Sequence, residues 1–274
     1  MAGSFKYLLF IASLPIICGL ESCSKIFESR NDCPTTILAD FSQVGNHIEN
    51  LMIWFEDAAG NTHSELINKS DFGHQKEFTV RRGVVKCYVW GNVRSATVCV
   101  AETKMVPKTV LIKKDDLMCD SLYFFSNERY VMKDTAVFNV SPHKQFATIF
   151  LTVLQADMCD EVVAVLNSVS KGFYYDGEIA HGVSTSIKKV EDQECRLRLL
   201  RQEGLSGISL DIDYTVGNEA HTMNFDLGKY LEEYKYDMKS LNMEDIYLTV
   251  DLINLTACIT IGSWKAVIDV GIEF

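Results

Sequence analysis

Short apolar or alternating runs, separated by turn residues, fill most of the chain and predict β-strands throughout. Leu51-Met52-Ile53-Trp54-Phe55 is one run. It is closed by Glu56-Asp57-Ala58-Ala59-Gly60-Asn61, whose acidic, small and Gly-Asn residues suit a hairpin-type turn. Phe78 and Val80 alternate with polar neighbours ahead of Arg81-Arg82-Gly83. Val84-Val85-Lys86-Cys87-Tyr88-Val89-Trp90 follows, β-branched and aromatic, and stops at Gly91-Asn92. Strands this short, with turn signals this frequent, point to β-sandwiches rather than parallel α/β units.

The pattern restarts near residue 138. Val137-Phe138-Asn139-Val140 leads into Ser141-Pro142-His143-Lys144 and then the apolar run from Ala147 to Leu154. A boundary is expected at about 136–142, dividing the chain into sandwiches over 36–138 and 139–274. Further strands are expected at Val162 to Leu166, Cys195 to Leu200, Ile208 to Tyr214, Ile246 to Ile253 and Val267 to Phe274. One segment has a different period. Leu227, Tyr230, Leu231, Tyr234, Met238 and Leu241 recur at spacings of three and four, which predicts one helix from Asp226 to Leu241 with Asp226 as its N-cap. Its apolar face would pack on a sheet or dock a partner.

The N-terminus follows another rule. Lys6 precedes an apolar stretch from Tyr7 to Leu20, too short to span a bilayer, and the whole reads as a secretory signal. Leu20-Glu21-Ser22-Cys23 resembles a bacterial lipobox, with Leu at −3 and Ser at −1. That resemblance implies cleavage after residue 22, lipidation of the Cys23 thiol, and a lipidated tether over 23–35. Cys18 fits less well, with Pro15 and Ile17 at the corresponding places.

The formal charge is −11, and it is unchanged by loss of Lys6 and Glu21 with the signal. A chain this acidic lacks the basic clusters that nucleic acid requires, and membrane attachment falls to the acyl chains. The hydrophobic fraction of 47% is that of a folded protein. Apart from Cys18 and Cys23, seven of the nine cysteines remain, an odd number, most of them inside strand-like runs where a thiol behaves as a small hydrophobe. Cys33 stands apart in Arg30-Asn31-Asp32-Cys33-Pro34 and is expected to pair, with Cys99 or with Cys87. No C-x-x-C pair supports zinc or redox chemistry.

No catalytic or phosphate-binding motif is present, so neither catalytic residues nor a cofactor nor a metal is expected. His47, His63, His74, His143, His181 and His221 are scattered singly. Asp211 and Asp213 share one face of a strand and could form half of a glycosidase pair or a calcium site, though an exposed strand face is the usual explanation, while Asp57 and Asn61 flank a turn but lack the spacing of an EF-hand loop. Tyr174, Tyr175 and the three tryptophans are the candidate aromatics for a sugar platform.

Taken in order, Cys23, Cys33-Pro34, Trp54-Phe55-Glu56-Asp57-Ala58-Ala59-Gly60-Asn61 and Gly83 to Asn92 resemble the FimB-type fimbrial anchor family of Bacteroidales lipoproteins. Met243-Glu244-Asp245-Ile246-Tyr247-Leu248-Thr249-Val250 and Ile261-Gly262-Ser263-Trp264 extend the resemblance to the second half. It implies a mainly β fold of two tandem transthyretin-like (Greek-key) β-sandwiches, the second carrying the short helix. It also implies a non-enzymatic lipoprotein at the base of a surface fimbrium, held in the outer membrane by its lipid, with fimbrial stalk subunits as partners. Subunits of that superfamily join by strand donation, a form of β-augmentation. Here the candidate donor residues are Val267, Ile268, Val270, Ile272 and Phe274, unless that strand completes its own sandwich. A surface glycan-binding lipoprotein and a stalk or tip subunit are the competing readings.

Overall fold

The computed structural model describes residues 33–101, 109–269 and 272–273. The first half contributes β1 (Pro34–Asp40), β2 (Asn50–Glu56), β3 (Thr62–Asn68), β4 (Lys76–Arg81), β5 (Gly83–Gly91), β6 (Thr97–Ala101), β7 (Thr109–Lys113), β8 (Tyr123–Val131), β9 (Thr135–Asn139) and β10 (His143–Lys144). The second half begins with β11 (Phe146–Leu154), β12 (Glu161–Tyr174), β13 (Ile179–Lys189), β14 (Glu194–Leu200), β15 (Ser209–Val216) and β16 (Glu219–Phe225). It ends with the helix α1 (Leu227–Tyr234), then β17 (Ile246–Asp251), β18 (Thr256–Ile261), β19 (Trp264–Asp269) and β20 (Ile272–Glu273).

The fold is mainly β: two tandem β-sandwiches, with one short helix in the second. Sheets β4-β1-β9 and β10-β8-β5-β2-β3 close on a core that includes Ile37, Phe55, Phe78, Val89 and Phe138. Sheets β14-β11-β17-β18-β19 and β20-β16-β15-β12-β7-β6, with β13 beside β12, close on Ile149, Leu166, Leu197, Ile212 and Ile259. The same pairing plan is used twice. β1 lies antiparallel to β4 and parallel to β9, as β11 lies to β14 and β17. β2 joins β3 to β5 and β5 joins β8, as β12 joins β13 to β15 and β15 joins β16.

Two departures from the repeat tie the molecule together. The antiparallel β6–β7 pair leaves the first half and adds to the second sandwich, where β7 pairs with β12 at Gly172–Tyr174. Gly172 sits between β7 and β13 at φ 146°, and a Cβ there would lie 1.9 Å from the Leu111 carbonyl oxygen. A third apolar core then fills the junction: Trp54, Trp90, Leu111, Leu122, Phe146 and Phe173 belong to it. Trp90 is fully buried, its ring centroid 4.9 Å from that of Phe173, and its Nε1–H donates to the Tyr175 carbonyl at 2.9 Å. Tyr175 in turn donates its hydroxyl to Glu56 Oε2 at 3.2 Å.

The helix is shorter than its periodicity suggests. Asp226 caps it as expected, accepting from the Lys229 N–H at 3.1 Å, and Leu227 and Leu231 are buried. The run ends at Tyr234 because Lys235 takes a left-handed conformation, φ 62°, and the Tyr236 N–H turns back to Leu231 O at 2.8 Å. Tyr236 and Met238 reach the core from a turn, and Leu241 is left 63% exposed.

Candidate functional site

Cys23 lies outside the described residues. Cys33 carries a free thiol, half-buried, just ahead of β1, and Cys87 is a free thiol sealed in the first core. No bond therefore joins those two. Cys99 stands on β6, its side chain outside the described residues. The other buried cysteines behave as hydrophobes. Burial pushes the Cys119 thiol up to about 12 and the Cys195 thiol up to about 11, so neither supplies a thiolate near neutral pH.

Among the candidate donor residues, Val267 and Ile268 belong to β19, opposite Cys258 and Ala257 of β18. β19 is the outermost strand of its sheet, and Val267 is 72% exposed. Ile272 belongs to β20, which pairs with β16 of the facing sheet through Thr222 and Met223. Val270 and Phe274 lie outside the described residues. The single strand expected over Val267–Phe274 is thus two strands, one on each sheet of the second sandwich. The change of sheet falls between Asp269 and Ile272.

The first sandwich offers a different edge. Thr36 N–H donates to Asp134 O, and Val140 N–H to Asp40 O, which turns the even-numbered residues of β9 toward β1. Thr135, Val137 and Asn139 then face the outer side, where no strand pairs among the described residues. One group is satisfied by a side chain: Arg129 Nη1–H donates to Val137 O at 2.9 Å, while its guanidinium lies 5.4 Å from the Phe138 ring centroid.

The other sequence candidates are absorbed by structure. Asp57 Oδ1 accepts from the N–H groups of Ala59 and Asn61, both at 2.9 Å, and Oδ2 from Asn61 Nδ2 at 3.0 Å, so this carboxylate closes its own turn. Asp211 accepts from Asn167 and Asn224 along the sheet face, and Asp213 from Thr222. Trp54 and Trp90 are buried in the junction and Trp264 packs against Tyr234, so they form no open platform. Among the described residues no group of three or more His, Cys, Asp or Glu side chains is placed to hold a metal ion.

Comparison with known proteins agrees with this architecture. No family model matches the chain, and no curated protein matches it by sequence. Solved structures do match. A candidate adhesin of Bacteroides ovatus superposes with TM-score 0.60 at 13% identity, covering 90% of this chain and 98% of that one. The fimbrial anchor protein Mfa2 of Porphyromonas gingivalis gives 0.58 at 15% identity, covering 85% and 99%. A candidate polysaccharide-binding protein of Bacteroides thetaiotaomicron gives 0.60 at 9% identity, covering 86% and 98%. At these identities the likeness is one of fold. The chain has the two-sandwich fold of these proteins over nearly its whole described length.

Proposed function

We propose that this protein is a non-enzymatic subunit of a surface fimbrium, a FimB-type anchor held in the outer membrane by acyl chains on Cys23. The observation that carries the reading is the fold shared with the Mfa2 anchor across 85% of this chain and 99% of that one. The lipobox-like Leu20-Glu21-Ser22-Cys23 supports the anchoring half. Stalk subunits are the partners, and β-augmentation is the means of joining them. The C-terminal strand is the candidate donor. As the outermost strand of its sheet, β19 can leave without breaking the ladders beneath it. Fixing the fibre and terminating its growth then follow from a subunit that stays tethered.

Mass spectrometry of the protein extracted from its native membrane tests the anchor. An acylated N-terminus at Cys23 with the rest of the chain intact is expected. A lipid-free N-terminus after Arg30 or a later arginine would make the protein a stalk or tip subunit instead. Deleting residues 267–274 tests donation. Fibre attachment should be lost while the first sandwich stays folded, and loss of the whole protein would assign that strand to its own sandwich.

A further inference from the structure

The outer face of the β14-β11-β17-β18-β19 sheet carries one transverse row with a distinctive chemistry. Strand register aligns Arg196, Phe150, Tyr247, Thr260 and Lys265 side by side. Phe150 and Tyr247 are stacked, centroids 4.9 Å apart and planes 9° from parallel. The Arg196 guanidinium lies 5.3 Å from the Phe150 centroid, on the other side of the pair from Tyr247 in the strand order. One side of Phe150 is thus met by a cation and the other by Tyr247. Tyr247, 52% exposed, is followed by the small Thr260 and then by Lys265. With strands roughly 4.8 Å apart, a slot about two strand spacings wide opens between Tyr247 and Lys265, and Thr260 is its floor. Arg196 and Lys265 make no salt bridge among the described residues, in a chain of net charge −11. Glu194 stands in the neighbouring row, and the Asp251 carboxylate is turned onto the N–H groups of Ile253 and Asn254.

We propose that this face binds an acidic polysaccharide. One sugar ring stacks on the outward face of Tyr247 above Thr260, its carboxylate or sulfate meets Lys265, and Arg196 takes a further acidic group across the stack. This goes beyond the anchor reading and requires β19 in its sheet, so it describes the subunit with that strand undonated. Three features favour a saccharide over a protein. The stacked pair lies on β11 and β17, interior strands of the sheet, so a peptide cannot reach it by strand addition. Outside the stacked pair its central strands present threonines, Thr148, Thr152, Thr249, Thr256 and Thr260, which offer hydroxyl donors and acceptors. The apolar surface comes from the two rings and from Val267, 72% exposed on β19, with polar threonines between them.

The test is binding of the full soluble chain to immobilised polygalacturonate, dextran sulfate and neutral dextran. Retention on at least one acidic polymer and none on neutral dextran is expected. Tyr247→Ala should weaken retention about tenfold, as loss of a stacked ring does, whereas Tyr247→Phe should leave it nearly unchanged. Lys265→Gln should weaken it about threefold. Preference between the two acidic polymers identifies the acid as uronate or sulfate. The proposal is overturned by absence of retention, by retention that Tyr247→Ala leaves intact (simple ion exchange), or by sedimentation showing that the face instead pairs two copies of the chain.

Discussion

The two sandwiches share one pairing plan and differ in how that plan is finished. In the first, β9 lies parallel to β1 and, among the described residues, no strand pairs with its outer side, where Arg129 donates to Val137 O. In the second, the equivalent β17 is covered by β18 and β19, two further strands that carry the sheet outward. Their outer faces differ as well. The face of the first sandwich that bears Trp54, Tyr88, Trp90 and Phe124 is apolar because the second sandwich sits on it. The equivalent sheet of the second sandwich, built on β12, β15 and β16, instead carries Asn167, Asp211, Asp213, Thr222 and Asn224 on its outward face, joined by side-chain hydrogen bonds. A repeated topology thus yields one sandwich built to be covered and one built to cover it.

Breaking the junction has the largest expected effect. Trp90→Ala removes the ring that packs on Phe124 and Phe173 and the donor to the Tyr175 carbonyl. A loss of about 3–5 kcal/mol is expected from truncating a buried tryptophan. Denaturant unfolding followed by tryptophan fluorescence and by far-UV dichroism should then separate into two transitions. A single coincident transition at unchanged midpoint would show that Trp90 contributes nothing to the coupling of the sandwiches.

That junction also marks where the sequence was readable and where it was not. β2, β5, β11, β14 and β17 stand where runs of apolar, β-branched residues predict them, because their inward-facing positions are large and apolar. Leu51-Met52-Ile53-Trp54-Phe55 is apolar on both faces, a signal of burial on both sides that a half-exposed strand lacks. β1 and β13 were not legible, since Thr35, Ala39, Ser184 and Ser186 are inward-facing yet small or polar. The helix was overextended because Tyr236 and Met238 keep the helical spacing while reaching the core from a turn. The stacked row could not be foreseen, since Phe150 and Tyr247 meet through parallel pairing of strands distant in sequence.

The β2–β3 turn sharpens the comparison by a smaller amount, since it belongs to the first sandwich alone. Burial would raise the Asp57 pKa, but hydrogen bonds from Asn61, Ala59 and Arg81 outweigh it and hold the carboxyl below its usual range. A carboxylate with a depressed folded pKa stabilises fully above its unfolded value and loses that contribution as pH falls through the folded one. Asp57→Ala should cost about 1–2 kcal/mol at neutral pH. The difference from wild type should be constant above about pH 5 and shrink below about pH 4, as followed by urea unfolding at each pH. A pH-independent difference would place the stabilisation in the turn's backbone geometry.

Arg129→Ala is expected to change stability least, by under about 0.5 kcal/mol, because the guanidinium sits at an exposed edge. Its consequence lies in association. Open strand edges are templates for other chains, and charged side chains are one way proteins blunt them. Removing Arg129 frees the Val137 carbonyl and leaves Thr135, Val137 and Asn139 facing a side with no paired strand among the described residues. Sedimentation velocity should show concentration-dependent dimers in the variant and not in the wild type, and Val137→Pro in the same background should return it to monomer by removing the outward N–H. In the second sandwich the analogous role is taken by whole strands, so no single side chain there should have this effect. If Arg129→Ala stays monomeric, β9 is protected by its twist or shortness, and the two sandwiches differ less in their edges than their strand orders imply.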